Sequence, residues 1–283
     1  MAEQNINWFP GHMAKAGRMI EQNMKLVDAV CEIVDARIPA SSRNPDLDRL
    51  CGTKPRMIIL NRCDLADPAV TAQWRDYYKS IGQTVLETDS KSGKGVSGFP
   101  AAVRSLLREK IESDAAKGRM GALRCMVVGI PNVGKSTFIN RVAGRRAAEA
   151  SDRPGVTRGK QWITVDSGLE LLDTPGILWP KIEKPETGTA LAFTGAIKDQ
   201  IMDTEALAAG LLSILRDNYP GRMEERYKIT ETAGLQGYEL LEAAARKRGM
   251  LISRGEVDTE RMAAAVLDEF RAGKFGKISF ERP

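Results

Sequence analysis

The apolar positions of this chain fall into short runs of strand length, separated by longer stretches in which apolar residues recur with helical spacing. Six runs predict β-strands, at residues 29–34, 57–60, 84–86, 125–128, 162–165 and 169–172. The stretches between them predict helices, at residues 13–26, 69–80, 97–111 and 135–143. Strands and helices that alternate in this way are typical of an α/β fold with a mostly parallel sheet.

The pattern changes near residue 180. Beyond this point the apolar spacing is helical, at residues 187–197, 204–216, 238–247 and 259–272. A length of 283 residues suits about two domains. We therefore expect a sheet-containing domain over residues 1–179 and an all-helical domain over residues 180–283, joined by a proline-bounded connector.

Composition narrows the class of protein. Hydrophobic residues make up 42% of the chain and charged residues 28%, which suits folded domains rather than disorder. No apolar run approaches the ~20 residues that span a bilayer, and the first residues do not resemble a secretory signal. The four cysteines form no C-x-x-C pair and are expected to be free thiols in a reducing compartment. These features predict a cytoplasmic protein without a membrane span.

The net charge of +5 is uneven along the chain. Residues 1–179 hold 26 basic and 20 acidic residues, a net +6, and residues 180–283 carry a net −1. Five of the basic residues cluster shortly after the predicted helix at 135–143, namely Arg145, Arg146, Arg153, Arg158 and Lys160. A basic cluster is compatible with nucleic-acid binding, but a solvated surface explains it equally well.

Residues 129–136 read GIPNVGKS and fit the phosphate-binding P-loop, G-x-x-x-x-G-K-S. A predicted buried strand precedes them and a predicted helix follows, which is the context that the motif requires. We expect the backbone around Gly134 to cradle phosphates, Lys135 to bridge the β- and γ-phosphates and the hydroxyl of Ser136 to hold Mg²⁺. The same segment adds three further expected nucleotide contacts, Asn132, Val133 and Thr137.

Residues 173–176 read DTPG and fit the D-x-x-G motif of GTPases. Asp173 follows a predicted strand and is expected to hold a magnesium-bound water. The N–H of Gly176 is expected to meet the γ-phosphate, which would make this loop a nucleotide-state switch with a part in catalysis. Thr157 lies between the two motifs, where a first switch would place a threonine on Mg²⁺. Ordinary turn chemistry after Pro154-Gly155 remains the alternative for Thr157.

Residues 61–64 read NRCD and resemble the guanine-reading motif N-K-x-D, with Arg62 in place of lysine and Cys63 at the variable position. A carboxylate at Asp64 can accept hydrogen bonds from guanine N1–H and the N2 amine, two donors that adenine lacks. Asn61, Arg62 and Cys63 of the same motif are also expected to contact the nucleotide. In ordinary GTPases this motif follows the P-loop, but here Asp64 precedes Lys135 by 71 residues.

Asp89 and Ser90 follow the next predicted strand, where a small loop would contact the guanine carbonyl. A plain polar connection explains these two residues nearly as well. With this loop, all the parts of a GTP-binding site are present, although the chain visits them in a rotated order.

The chain resembles the YlqF type of circularly permuted GTPase, the ribosome biogenesis GTPase A family. The segments that carry the resemblance are residues 8–13, 35–39 with 42–45, 129–136, 152–155, 173–180, 194–198 and 275–280. The resemblance implies a doubly wound P-loop fold with permuted motifs, followed by a small all-α domain that docks on ribosomal RNA. It also implies GTP hydrolysis to GDP as a switch in late maturation of the large ribosomal subunit, by a protein that is monomeric away from the ribosome.

Hydrolysis requires a group that orients the attacking water. In Ras-like proteins a glutamine just after D-x-x-G does so, but this chain has Ile177 there. His12 is the one histidine; an imidazole can align water, and the resemblance also points to it. The alternative is that His12, with Trp8 and Phe9, stacks on RNA bases. The resemblance further implies a K⁺ ion bound through Asn132.

Two other functions stay open at this stage. One is a P-loop ATPase or small-molecule kinase, against which Asn61 and Asp64 argue. The other is an RNA-binding scaffold that holds nucleotide without turnover, which Ile177 leaves possible.

Overall fold

The computed structural model describes residues 11–119, 121–144, 162–252 and 255–283, and in the first helix the side chains from Ala16 onward. The chain divides into two units. The first comprises Met1–Glu183 together with Ser279–Pro283, and the second comprises Lys184–Ile278. The last five residues thus belong to the first unit, whereas the apolar pattern had placed everything from residue 180 in the helical one.

One six-stranded sheet forms the centre of the first unit. Its strands are β1 (Ala29–Asp35), β2 (Arg56–Asn61), β3 (Thr84–Glu87), β4 (Leu123–Gly129), β5 (Trp162–Asp166) and β6 (Leu169–Asp173). Their order across the sheet is β3-β2-β1-β4-β6-β5. All neighbours are parallel except β5 and β6. Every residue of the central strand β1 is buried, as expected of a strand covered on both faces.

Six described helices accompany the sheet: α1 (Gly11–Met24), α2 (Asp46–Cys51), α3 (Pro68–Ser80), α4 (Phe99–Leu106), α5 (Arg108–Ala116) and α6 (Lys135–Ala143). The start of α3 shows why a helix begins there. The Asp67 carboxylate accepts from the N–H of Ala69 at 2.8 Å, and Pro68 occupies the first helical position, where its missing N–H costs nothing.

Two apolar clusters hold α1, α2 and α3 against the sheet. One contains Val34, Ile58 and Leu60 of the strands with Val70 and Trp74 of α3. The other joins α1 and α2 to β1, β4 and β6, and its buried members are Ala16, Ile20, Met24, Val27, Val30, Leu47, Cys51, Met126, Val128, Leu172 and Ile177. The second cluster matters for function, because it includes a residue of the loop after β6.

The second unit is built from helices in its described part. They are α7 (Pro185–Phe193), α8 (Thr204–Asn218), α9 (Arg222–Tyr227), α10 (Gly237–Lys247) and α11 (Thr259–Arg271). Asp203 and Asp258 cap the N-termini of α8 and α11 by accepting from backbone N–H groups at 2.9 and 3.0 Å. Packing of α8 against α10 and α11 buries Leu211, Leu240 and Val266 completely.

The predicted fold class is confirmed: a mostly parallel α/β sheet precedes a set of helices. Two details differ from the apolar pattern. The helix predicted over residues 97–111 is divided into α4 and α5, because the backbone of the buried Leu107 leaves helical geometry (φ −102°, ψ 18°). The helices α2 and α9 were not predicted, since six residues are too few to show a periodic pattern.

Candidate functional site

The register of the parallel strands gathers the sequence motifs at one edge of the sheet. Asp35 at the end of β1 is aligned with Asn61 at the end of β2, and Ile33 of β1 is aligned with Gly129 of β4. Asp173 at the end of β6 lies beside Val127 of β4. The carboxyl ends of parallel strands are where α/β proteins bind ligands, and motifs that are far apart in the chain therefore become neighbours here.

The P-loop has backbone geometry that only small residues fit. A Cβ atom on Gly129 would lie 2.5 Å from the carbonyl oxygen of Ile33. Gly134 has a φ of 99°, and a Cβ there would lie 2.6 Å from Nδ2 of Asn61. These glycines let the loop pass close to β1 and β2 and leave its backbone N–H groups in a turn that leads into α6.

Lys135, the first residue of α6, is buried although it is a cation. Its Nζ donates to the carbonyl oxygens of Gly129 at 3.1 Å and Ile130 at 2.8 Å. Burial lowers the pKa of Lys135 to about 8, and the charge of Asp173 only partly opposes that shift. Burial likewise raises the pKa of Asp173, against the opposing effect of Lys135. Such mutually perturbed groups at a sheet edge are typical of functional sites.

Asn61 connects three segments of the site. Its Nδ2 donates to the carbonyl oxygen of Val133 at 2.9 Å. Its Oδ1 accepts from Thr88 Oγ1 at 3.1 Å and from the backbone and hydroxyl of Ser90 at 3.2 and 2.7 Å. A buried side chain with this many partners fixes the P-loop and the loop after β3 to the end of β2.

Arg62 extends the same connection. Its backbone is left-handed, with φ 62°, and its guanidinium donates to the carbonyl oxygen of Asn132. The guanidinium also lies 3.7 Å from Asp35. Burial lowers the pKa of Arg62, although Asp35 works against that shift. Arg62 therefore connects the segment after β2 to the P-loop.

Asp64 and Asp89 are the two carboxylates near the expected base position. Asp64 is an exposed residue. Partial removal of water from around its carboxyl group, together with the nearby charge of Asp89, raises its pKa. Burial also acts to raise the pKa of Asp89, but hydrogen bonds from Ser92 and Lys91 lower it overall. Cys63 lies between Arg62 and Asp64, and its thiol contacts the carbonyl of Leu60 at 3.1 Å.

The loop after β6 approaches the P-loop directly. A Cβ on Gly176 would lie 2.8 Å from Cα of Pro131 and 2.9 Å from Nζ of Lys135. Thr174 anchors the loop through a hydrogen bond from its hydroxyl to the carbonyl of Val127 at 2.7 Å. The next residue after Gly176, Ile177, is 4% exposed and belongs to the apolar cluster beneath α1.

Ser136, Thr137 and Asn132 present exposed side chains around the P-loop, and Asn132 has a left-handed φ of 57°. Among the described residues, no three His, Cys, Asp or Glu side chains gather as a ready metal site. The donors present, a serine hydroxyl and one aspartate, suit Mg²⁺ that is also held by phosphate oxygens of a nucleotide.

Two predicted residues fall outside what the structure describes. Thr157 lies outside the described residues, as does the basic cluster around it. The backbone of His12 lies in α1, but its side chain is outside the described part. The assignments of Thr157 to Mg²⁺ and of His12 to water therefore stay predictions.

Sequence reasoning missed Arg141 and the Asp35–Arg37 pair. Arg141 of α6 donates to the carbonyls of Ser90 and Lys91, so the P-loop helix holds the loop after β3. Arg37 is 1% exposed and donates to both oxygens of Asp35 at 2.9 and 2.8 Å. Burial alone would raise the pKa of Asp35, but Arg37 lowers it. Asp35 and Arg37 lie in a segment that carries the family resemblance, residues 35–39. That resemblance did not show that the two side chains pair with each other.

Known proteins resemble this chain along nearly its whole length. The model of the 50S ribosome-binding GTPase family matches residues 124–203. The Ribosome biogenesis GTPase A of Priestia megaterium is 49% identical over 280 residues, covering 98% of this chain and 97% of that protein. The protein of the same name from Thermotoga maritima is 33% identical over 283 residues, covering 98% and 95%.

Two solved structures are also similar to this chain along nearly its whole length. A crystal structure of GNP-bound YlqF from T. maritima superposes with a TM-score of 0.67 at 29% identity, covering 95% of this chain and 98% of that one. A GDP-bound structure of T. maritima YlqF superposes with a TM-score of 0.68 at 27% identity, covering 94% and 99%. Within the described ranges, no helix combines the length and the apolar character needed to cross a bilayer.

Proposed function

The chain belongs to the ribosome biogenesis GTPase A family and is a GTPase, as its motifs predicted, and we propose that it hydrolyses GTP to GDP and phosphate as a switch in late assembly of the large (50S) ribosomal subunit. The observation that carries the nucleotide-binding part of this proposal is the hydrogen bond from Asn61 Nδ2 to the carbonyl of Val133 at 2.9 Å, and the names of the relatives support the ribosomal part. This hydrogen bond ties a guanine-reading motif to a P-loop that follows it in the chain.

We propose that the base and the phosphates bind on the two sides of that connection. Asp64 would accept from the N1–H and N2 amine of guanine, with Arg62 along the base and the loop at Asp89 and Ser90 near its carbonyl. The phosphates would lie on residues 132–137, with Lys135 bridging the β- and γ-phosphates. The exposed Asp64 and the phosphate segment both lie at the carboxyl edge of the sheet, which supports this arrangement.

For the metal ions, we propose that Mg²⁺ is held by Ser136 and by a water on Asp173, with Thr157 as a further ligand. Asp173 is close enough to Lys135 for each to shift the other's pKa, which supports their facing one phosphate group. A K⁺ ion at Asn132 would add positive charge where the transition state needs it.

The burial of Ile177 supports a role for His12 in hydrolysis. At 4% exposure, Ile177 faces the apolar cluster, and its side chain can neither donate to water nor accept from it. The same cluster contains Ala16 and Ile20 of α1, the helix that begins at Gly11. Helix α1 is therefore anchored to the residue after the switch glycine, and we propose that His12, at its first turn, orients the attacking water.

The site can act as a switch because of where the loop after β6 leads. Gly176 would meet the γ-phosphate, and the helical unit begins at Lys184. We propose that the GTP-binding domain, predicted over residues 1–179, is the first unit together with its residues Ser279–Pro283. We further propose that the helical unit Lys184–Ile278, predicted over residues 180–283, docks on ribosomal RNA of the large-subunit precursor. The protein would act in the cytoplasm and be monomeric away from the ribosome.

Phosphate release measured with and without immature large subunits tests this function. The wild type is expected to turn over GTP slowly alone and faster with subunits. His12→Ala is expected to keep its affinity for GTP and to lose ~10²-fold in stimulated kcat at saturating subunits, the scale for a lost general base or orienting group. An unchanged kcat would contradict the role of His12, and turnover that subunits do not stimulate would contradict the switch.

A further inference from the structure

The last five residues, Ser279–Pro283, leave the helical unit and form part of the nucleotide-binding unit. Phe280 donates its N–H to the carbonyl of Arg37 at 2.9 Å. The hydroxyl of Ser279, which is buried, accepts from the N–H of Asp67 at 3.1 Å. These contacts join residues more than 200 positions apart in the chain, so they are tertiary contacts and not a local turn.

Glu281 makes the strongest of these contacts. Its carboxylate accepts from the N–H of Ala40 at 2.7 Å and from the N–H of Ser41 at 3.1 Å. Its backbone carbonyl accepts from Nε1 of Trp74 at 3.0 Å. Burial raises the pKa of Glu281, although the hydrogen bonds from Ser41 and Ala40 oppose that shift. Hydrogen bonds from N–H groups to a carboxylate are among the stronger ones in proteins.

Two partners of this segment, Asp67 and Arg37, are linked to the guanine-reading loop. Asp67 lies three residues after Asp64 and caps α3. Arg37 is bound to Asp35, which in turn lies 3.7 Å from Arg62. The C-terminal segment therefore holds the far end of the guanine-reading loop through Asp67. It reaches the beginning of the same loop indirectly, because Phe280 binds the carbonyl of Arg37, and Arg37 binds the Asp35 carboxylate that lies near Arg62.

We propose that the C-terminal segment Ser279–Pro283 is a positioning element of the guanine-reading loop: it sets where Asp64 stands and so tunes the preference for guanine nucleotides. The proposal rests on the proposed role of Asp64 as the guanine reader. The segment follows Ile278, the last residue of the helical unit, directly in the chain.

A positioning role and a merely structural one predict different nucleotide selectivity. Inosine triphosphate has the N1–H of guanine but lacks the N2 amine. If the segment positions Asp64, its loss should weaken GTP more than inosine triphosphate, because the second hydrogen bond to the carboxylate is lost first. If the segment only stabilises the fold, both nucleotides should weaken by the same factor.

The test compares Glu281→Gln and Ser279→Ala with Arg282→Ala, whose side chain is exposed. Glu281→Gln keeps the size of the side chain and places an amide where N–H groups now meet a carboxylate. We expect it to narrow the ratio of GTP to inosine triphosphate affinity by about tenfold, the scale of one hydrogen bond to a charged group. Ser279→Ala should narrow it less. Arg282→Ala should not change it, and kcat at saturating GTP should hold in all three.

Three results would overturn the inference in distinguishable ways. Equal loss of both affinities, with a lowered melting temperature, would make the segment a structural support. Wild-type selectivity in Glu281→Gln would show that the segment does not position Asp64. A wild type that binds both nucleotides equally would refute Asp64 as the guanine reader, and this inference with it.

Discussion

Replacing Lys135 by methionine should stabilise the nucleotide-free protein at neutral pH while abolishing GTP binding. Lys135 is a cation at 7% exposure, and burial lowers its pKa from 10.5 to about 8. Its two hydrogen bonds to the carbonyls of Gly129 and Ile130 do not offset the loss of water. Methionine has a similar shape and no charge, so the cost of the buried cation disappears with it.

The sign of the pH dependence follows from proton binding. Because the pKa is lower in the folded state, the folded wild type binds fewer protons than the unfolded chain between about pH 8 and 10.5. The cost is therefore present in full below pH 8 and is lost as the pH rises through that range. A shift of this size corresponds to ~3 kcal/mol, and the two lost hydrogen bonds, at ~1 kcal/mol each, reduce the gain at pH 7.

Urea unfolding followed by tryptophan fluorescence measures this effect, since all four tryptophans lie within residues 1–183. The free energy of unfolding of Lys135→Met, minus that of the wild type, should fall by ~1–3 kcal/mol between pH 7 and 9.5. Ser136→Ala, at the next position and without an ionisable group, serves as the control and should show no such trend. A Lys135→Met difference that is constant with pH would refute the account of Lys135 as a strained buried cation.

Three further predictions address the other parts of the site. Asp64→Asn should weaken GTP at least tenfold and improve the binding of xanthosine triphosphate, which has a carbonyl in place of the guanine amine; nucleotide competition measures both, and wild-type GTP affinity would contradict the assignment. Ser136→Ala should lower the affinity for GTP mainly in the presence of Mg²⁺, so a titration with and without the ion should separate the two, and an equal loss in both would count against the hydroxyl as a ligand. Gly176→Ala should lower kcat by ~10²-fold or more, since its Cβ would lie 2.8 Å from Cα of Pro131; single-turnover phosphate release measures this, and normal turnover would show that the loop after β6 does not need to approach the P-loop.

The strands and the gathering of the motifs followed from the sequence because their signals are local. Buried parallel strands are continuous apolar runs, and a motif residue that follows such a run must lie at the carboxyl edge of the sheet. Asn61, Gly129 and Asp173 each end or follow such a run, and the register of the sheet brings the ends of their strands side by side.

The partners of these residues did not follow from the sequence. Asn61 contacts Val133 across 72 positions, and no periodic pattern indicates which residue lies opposite in a loop. Arg141 binds the loop after β3, and Arg37 pairs with Asp35. Both contacts depend on the backbone conformation of loops, which the apolar pattern does not indicate. The place of the C-terminal segment in the first unit could not be predicted either. It depends on the backbone N–H groups of Asp67 and Ala40, which donate to Ser279 and Glu281.

The burial of Ile177 supports the inference from the sequence that this residue does not orient the attacking water. The residue type showed that the position could not orient water, but the structure shows where the side chain goes instead, into the cluster with Ala16 and Ile20. Ile177 is thus part of the apolar core that anchors α1.

Nucleotide-dependent binding to immature large ribosomal subunits tests the central claim most directly. The protein should be sedimented with such subunits in the presence of a non-hydrolysable GTP analogue, of GDP, or of no nucleotide. The account predicts co-sedimentation with the GTP analogue and release with GDP, because the proposed contact of Gly176 with the γ-phosphate would be lost on hydrolysis. Equal binding in all three conditions, or no binding with the GTP analogue, would contradict a GTPase switch in large-subunit assembly.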